Sequence, residues 1–276
     1  MGTLVHAIEM QGISDSGMVR GHNEDAIGYK PELGLAILAD GMGGYNAGEV
    51  ASGIAVTLIS EGVKGALESM APHRPEPMSG KPLAHRILRD EIEKANLAIF
   101  QTAQSQPQCA GMGTTLVAAL FYDNRLTIAH VGDSRVYRLR GENFTVLTKD
   151  HSLLQEQIDS GFITPEQARQ SQNKNLVTRA VGIDPQLNPE LNDHEVQVND
   201  IYLICSDGLN DMVPDEDIAL VMTTLRSNLQ LASQQLIQMA NDNGGRDNVS
   251  VILIKVKHDY AAERSLWARL FSWFAR

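Results

Sequence analysis

The chain reads as an α+β protein in which antiparallel sheets are covered by helices in layers. Three observations point there. Strand-like and helical runs follow one another without strict alternation. Several strand-like runs are apolar throughout, as strands buried on both faces are. Two long helical patterns are separated only by a short proline-rich stretch, as antiparallel neighbours are. At 276 residues, 43% of them apolar and with no internal repeat, the chain can bury a sizeable core.

Taken in order, VHAIEM and DAIGYK are predicted as short strands, followed by the apolar LGLAILAD. The spacing predicts helices over residues 46–69, with Val50, Ile54 and Leu58 in step, and 83–104, with Ile87, Ile92, Ala95 and Ile99 in step. Between them, the four prolines of APHRPEPMSGKP exclude regular structure and read as a surface loop. Residues 113–148 are β-branched runs broken at Asp123-Asn124, Gly132-Asp133 and Gly141-Glu142-Asn143, which predicts a meander of hairpins. Residues 151–175 turn polar and helical, with Thr164-Pro165-Glu166-Gln167 resembling a helix start, and read as a mobile surface segment. DHEVQVND and IYLICSD return as strands, a helix is predicted over 228–241, and NVSVILIKVK closes the fold as a last strand.

Composition narrows the function. No uncharged apolar run approaches the ~20 residues that span a bilayer, and the start lacks the basic, apolar and small-residue regions of a secretory signal. Only Cys109 and Cys205 are present, Cys205 inside an apolar run, so a disulfide framework is not expected and a cytoplasmic location is. A net charge of -11 disfavours nucleic acid, whereas clustered carboxylates suit hard cations.

The acids sit where such a cluster needs them. LAILAD, IAHVGD and YLICSD each carry an apolar strand onto a carboxylate, at Asp40, Asp133 and Asp207, while Asp247 directly precedes the last strand. If that strand runs antiparallel to IYLICS, Asp247 meets Asp207, and four carboxylates face one another at one sheet edge. Charges that close repel unless cations intervene. Oxygen-only ligands select magnesium or manganese over zinc. The glycines after Asp40 and Asp207 are expected to turn the backbone sharply, and Gly41 to present a carbonyl to an ion.

At these residues the chain resembles the metal-dependent protein phosphatases, the type 2C Ser/Thr phosphatases in their compact bacterial form. The resemblance is carried by SDSGMVRGHNEDA (14–26), LADGMGG (38–44), GMGTTLVAA (111–119), HVGDSRVYRLR (130–140), DHSL (150–153), LVTRAVG (176–182), CSDGLND (205–211) and GGRDNVSVI (244–252). Together they span about residues 8 to 257. The resemblance implies a four-layer α-β-β-α sandwich of two antiparallel sheets flanked by antiparallel helix pairs. It implies a catalytic domain, taken as residues 1–258; residues 259–276, read from their own pattern, form an amphipathic C-terminal tail.

By resemblance, Asp40 bridges two catalytic cations, Mn2+ or Mg2+, with the Gly41 carbonyl on the second ion and Asp207 and Asp247 completing the first. Glu24 and Asp25 reach the second ion largely through water. Asp133, with Asp207, matches the holder of a third, weaker ion, and Arg20 matches the arginine that grips the substrate phosphate. The implied reaction is hydrolysis of phosphoserine and phosphothreonine by direct attack of a hydroxide shared by metals about 3.5 to 4 Å apart, without a phosphoenzyme. Paired N–H donors suit Arg20 to two phosphate oxygens in a way lysine cannot copy. The implied partners are phosphoproteins and a cognate Ser/Thr kinase, with the chain acting as a monomer.

Met42 departs from many eukaryotic relatives, which hold a histidine there as proposed general acid; methionine cannot donate a proton. A metal-bound water is the leading donor, ahead of His22 and His151. Residues 155–180 correspond to the flap beside the active site and are expected to move and influence substrate choice. The tail AAERSLWARLFSWFAR lies outside the resemblance. On a helix it sets Leu266, Leu270 and Trp273 beside Trp267, Phe271 and Phe274, which fits either a docked terminal helix or one that meets a membrane surface or partner. Two further readings stand beside the phosphatase: a two-metal nuclease or phosphodiesterase, disfavoured by the acidic balance, and a phosphate-sensing pseudophosphatase or partner-switching module, which would require a missing ligand.

Overall fold

The structure, a computed structural model, describes residues 4–44, 47–164, 167–168 and 176–262. In chain order the strands are β1 (Ile8–Asp15), β2 (Asp25–Lys30), β3 (Leu35–Met42), β4 (Gly113–Thr114), β5 (Leu116–Tyr122), β6 (Arg125–Val131), β7 (Arg135–Arg140), β8 (Asn143–Val146), β9 (Glu190–Glu195), β10 (Ile201–Cys205) and β11 (Val249–Val256). The helices are α1 (Leu4–Ala7), α2 (Ala47–Ser69), α3 (Leu83–Ser105), α4 (Leu153–Asp159), α5 (Asp207–Asn210), α6 (Asp215–Thr224) and α7 (Leu229–Asp242). One antiparallel sheet has the order β1-β11-β10-β7-β8; the other runs β2-β3-β5-β6-β9, with β4 paired to β3.

Side-chain alternation builds the layers. In β3, Leu35, Ile37 and Ala39 meet α2 and α3, while Ala36 and Leu38 meet the facing sheet. In β11, Ile252 and Ile254 fill the space between the sheets, while Val251 and Leu253 meet α7. Both faces of these strands are therefore covered, which is why their sequences are apolar throughout. The result is the expected α-β-β-α sandwich. Each fully buried Leu or Ile contributes roughly 1.5–3 kcal/mol relative to exposure.

The two long helices form where the spacing predicts, but α2 presents a different face. Val50 and Leu58 are exposed, and the buried stripe is Ala47, Ala51, Ala55, Ile59 and Val63. Small side chains let α2 approach the sheet closely: a Cβ on Gly28 of β2 would meet Val56 at 2.7 Å. By length and composition α2 is the one helix among the described residues long and apolar enough to cross a membrane, yet here it is packed against β3 and α3.

Three other expectations need correction. Residues 4–7 are helical rather than extended, because a single turn places both Leu4 and Ala7 on the inter-sheet core. The predicted meander is two hairpins in different sheets. Asp123 and Asn124, with φ of 46° and 54°, turn β5 into β6, and Gly141, with φ of 63°, lies between β7 and β8. At Gly132 the chain leaves one sheet for the other. Finally, α5 and α6 occupy a stretch where no helix is predicted.

After β11 the chain stays attached to the fold: Tyr260 is buried, and its N–H donates to Asn124 Oδ1 at 2.8 Å. The aromatic part of the predicted tail helix, from residue 263 onward, lies outside the described residues.

Candidate metal centre and phosphate site

The carboxylates gather at one end of the space between the sheets. Asp25 and Asp40 are register partners on β2 and β3. Asp40 shares the parity of Ala36 and Leu38, so it lies on the inter-sheet face. The antiparallel pairing of β10 with β11, Cys205 opposite Val251, brings the exit of one strand to the entry of the other. A Cβ on Gly208 would strike the Asn248 carbonyl, so Asp207 and Asp247 are neighbours as the sequence predicts. Asp133 joins them from the β6–β7 crossing.

The electrostatics record the crowding. The Asp40 carboxyl is pushed well above the usual carboxylate range by burial and by the charges of Asp25, Asp207, Asp133 and Asp247. Asp207 is pushed well up by burial, Asp133, Asp211, Asp247 and Asp25. Burial raises Asp25 to about 6 despite hydrogen bonds from Ser250 and Ser206, and burial, Asp150 and Asp211 raise Asp133 to about 6. Burial also raises Glu24, against a hydrogen bond from the Gly48 backbone at the start of α2 and the charge of Arg20. Asp25 Oδ1 is buried without a hydrogen-bond partner. An unpartnered buried oxygen within an all-carboxylate cluster fits hard divalent cations.

Two of the predicted geometries are different in fact. Asp40 is not at a strand tip, since β3 continues to Met42 and pairs Gly41 with Thr114. Neither Gly41 nor Gly208 has a positive φ. Gly41 is glycine because a side chain there would collide with the Gly48 and Glu24 carbonyls; its N–H donates to Glu24 O at 3.1 Å. Close approach, not a sharp turn, explains both glycines.

Arg20 lies at the mouth, with its Nη2 donating to Asp247 Oδ2 at 2.8 Å and its side chain 51% exposed. Asp247 is the main reason its pKa is raised, through that bond and its charge. The turn before it is fastened to the β11 side by Met18 and Val19, whose N–H groups both donate to Gly245 O. Beside the cluster lies a cavity of about 500 Å³ between α4 and α6, lined at one end by Asp133, Asp207 and Asp211 and walled by Leu154, Ile158 and Met212. The adjoining flap is anchored by the Ser152–Val177 bridge and by Thr178 N–H donating to His151 O. Thr164 and Gln167 exchange side-chain and backbone hydrogen bonds, forming the predicted helix start.

With that geometry in place, similarity to known proteins is decisive. A family model described as Protein phosphatase 2C matches residues 19–242. The chain belongs to the protein phosphatase 2C family. This phosphatase is 38% identical over 245 residues to the "Serine/threonine phosphatase stp" of Listeria welshimeri, covering 88% of this chain and 93% of that one. It superposes with a TM-score of 0.82 on the crystal structure of the Mycobacterium tuberculosis serine/threonine phosphatase PstP/Ppp, at 36% identity, covering 91% of this chain and 100% of that one. A structure of the PstP catalytic domain in complex with two manganese ions matches at TM-score 0.77 and 37% identity, covering 91% and 99% of the two chains.

Several supporting residues of the phosphatase escape a search for strand-end acids. Asn248 is 5% exposed; its Oδ1 accepts from Glu24 N–H at 2.8 Å, and its Nδ2 donates to the Ser16 and His22 carbonyls. It brackets the whole loop that carries Arg20 and Glu24. Thr115 Oγ1 accepts from Asp40 N–H at 3.1 Å and shares a hydrogen bond with Ser134 Oγ, joining Asp40 to the Asp133 turn. Their sequence signal is membership of GGRDNVSVI, GMGTTLVAA and HVGDSRVYRLR, which does not reveal what each side chain bonds. Of the two histidines considered as proton donors, His22 is exposed; Met42, which has no proton to give, lies in β3 opposite Gly113. His151 is 8% exposed, with its ring nitrogens facing Gly132 and Glu190, so it is turned away from proton donation to a leaving group.

Proposed function

We propose that this protein phosphatase 2C hydrolyses phosphoserine and phosphothreonine in proteins, with Asp40, Gly41, Asp207 and Asp247 holding two divalent cations, Mn2+ or Mg2+. Glu24 and Asp25 support the second ion, and Asp133 with Asp207 holds a third, weaker one. The observation that carries this reading is the convergence of Asp25, Asp40, Asp133, Asp207 and Asp247, from separate parts of the chain, beside one arginine. The bound ions supply charge neutralisation and an activated water for attack on phosphorus. Asp40 and its neighbours fix where that attack takes place. Arg20 uses one of its five N–H donors on Asp247 and offers the fork to two phosphate oxygens. The proton for the departing Ser or Thr oxygen is assigned to water, given the positions of Met42 and His151.

Substrates are therefore phosphoproteins, and the natural opponent is a Ser/Thr kinase. The flap, beside the acidic cavity, is read as the element that selects among them; deleting it should alter turnover of a phosphopeptide more than that of a small aryl phosphate. The catalytic domain is taken as residues 1–258, acting as a cytoplasmic monomer. The aromatic tail beyond Ala262 is read either as a segment docked on its own domain or as one that meets a membrane surface or a partner, whereas Tyr260 belongs to the inter-sheet core. A pseudophosphatase is not favoured, since every expected carboxylate is present. The deciding experiment is hydrolysis of a phosphothreonine peptide with manganese by the wild type and Asp40→Asn. Loss of at least ~10³-fold with the fold retained supports the reading, and equal activity in the two proteins removes it.

A further inference from the structure

Gly132, the residue before Asp133, has φ of +103°, and the place of its missing Cβ is filled by Thr115. One histidine satisfies both of its backbone polar groups. His151 N–H donates to Gly132 O at 2.9 Å, and Gly132 N–H donates to His151 Nδ1 at 3.2 Å. That second bond makes Nδ1 the acceptor, so the imidazole proton is on Nε2, 3.4 Å from Glu190 Oε2. Burial, then the neighbouring His130, keeps the ring below the usual histidine range and therefore neutral. The ring is also stacked on His130, centroids 4.8 Å apart at 16°, and His130 is the register partner of Glu190 across β6 and β9. The His151 carbonyl meanwhile accepts from Thr178 N–H at the base of the flap.

A ring nitrogen of each histidine and a Glu190 oxygen lie within 4.8 Å of one another, a spacing that could suit a metal. The hydrogen bonds argue against one. A cation on Nε2 would move the proton to Nδ1, where Gly132 N–H already points, and the buried amide would lose its acceptor. The cluster is better explained by what it holds.

We propose that His151 is a positioning residue that clasps Gly132 in its left-handed conformation and so aims the Asp133 carboxylate toward Asp207. Glu190 and His130 fix the ring that does this. The inference rests on the reading of Asp133 as a ligand of the weaker third ion, and the test separates the two. Outer partners that orient a ligand typically change metal affinity 10–100-fold when removed.

Two substitutions divide the ring's functions. His151→Asn keeps an acceptor near the Nδ1 position for Gly132, while His151→Gln keeps only a donor toward Glu190. Manganese binding, counted from the electron paramagnetic resonance signal of the free ion, is compared in the wild type, both variants and Asp133→Asn. The weaker class of sites should lose about 10-fold in affinity in His151→Gln and stay within about 3-fold of wild type in His151→Asn, with the tighter sites unchanged in both. Thermal unfolding of each variant verifies that it is folded. Indistinguishable Asn and Gln variants, or a Gln variant that binds like the wild type, overturn the clasp. A weaker class that survives intact in Asp133→Asn removes instead the ligand role on which the clasp depends.

Discussion

Asp25 and Asp40 stand directly opposite each other on β2 and β3; burial raises both carboxyls, and the charge of Asp25 adds to the rise at Asp40. Placing two carboxylates at cross-strand partner positions is destabilising unless one is protonated or a cation joins them. The arrangement therefore favours ion binding at the expense of the ion-free fold.

Burial of the cluster fixes a pH dependence. The folded-state pKa values of Asp25 and Asp133, about 6 each, lie above the ordinary 3.8. A carboxyl raised on folding contributes stability that is complete below its unfolded pKa and is lost as pH rises through the folded one. Chelated protein should accordingly lose stability between about pH 4 and pH 7. Scanning calorimetry over that range, with chelator and then with saturating manganese, should show the fall in Tm only in the first series. A flat profile in chelator would contradict the assignment.

Asp40→Asn separates stability from catalysis. An amide keeps the shape and removes the charge, so chelated Asp40→Asn should unfold at a Tm equal to or a few degrees above the wild type. Manganese, which should raise the wild-type Tm strongly, should raise that of the variant far less. Parallel thermal melts with and without metal measure both effects. A variant that melts well below the chelated wild type would mean that Asp40 serves packing instead.

How much of this was legible beforehand follows from what kind of force placed each residue. Asp207 and Asp247 could be paired from the sequence because strand direction and an apolar run define a sheet edge. The buried face of α2 could not, because Val50, Ile54 and Leu58 satisfy the helical period as well as Ala47, Ala51 and Ala55 do, and only the tight approach to the sheet selects the smaller set. The glycine at position 41 looked like a turn, yet its cause is the Gly48 carbonyl, a neighbour known only once α2 has docked. At Gly132-Asp133 a crossing between sheets and a hairpin look alike in sequence, because a turn signal does not reveal which sheet the next strand joins. Asn248 stands within GGRDNVSVI, but its role is not legible there, since each of its three side-chain bonds reaches a segment more than two hundred residues away in sequence.

Arg20→Lys should preserve the fold and impair phosphate recognition. The ion pair with Asp247 is half exposed on the arginine side and contributes little to stability, about 0–1 kcal/mol. A lysine retains the charge but not the fork, so kcat/KM for a phosphopeptide should fall roughly 10- to 100-fold with a near-wild-type Tm. Steady-state kinetics with peptide and aryl phosphate provide the measurement, and unchanged kcat/KM on both would detach Arg20 from the substrate.

Asn248→Ala should damage both halves of the site at once. The substitution strands the Glu24 N–H and the Ser16 and His22 carbonyls, which the amide now satisfies. Leaving buried groups unpaired costs about 1–3 kcal/mol each, and partial access of water to the loop should bring the total to about 2–4 kcal/mol. Because the bracket holds the segment running from Arg20 to Glu24, the same variant should raise the KM for phosphopeptide and the manganese concentration needed for half-maximal activity. Asn248→Asp keeps the acceptor for Glu24 but loses the two donated bonds and adds a charge to the acidic cluster, so without metal it should be the less stable of the two, while the added charge offsets part of its loss in manganese affinity. Denaturant unfolding and manganese titration of both variants check this. Wild-type metal dependence in a destabilised Asn248→Ala would reduce the residue to a packing role and dissociate the loop's position from the centre beside it.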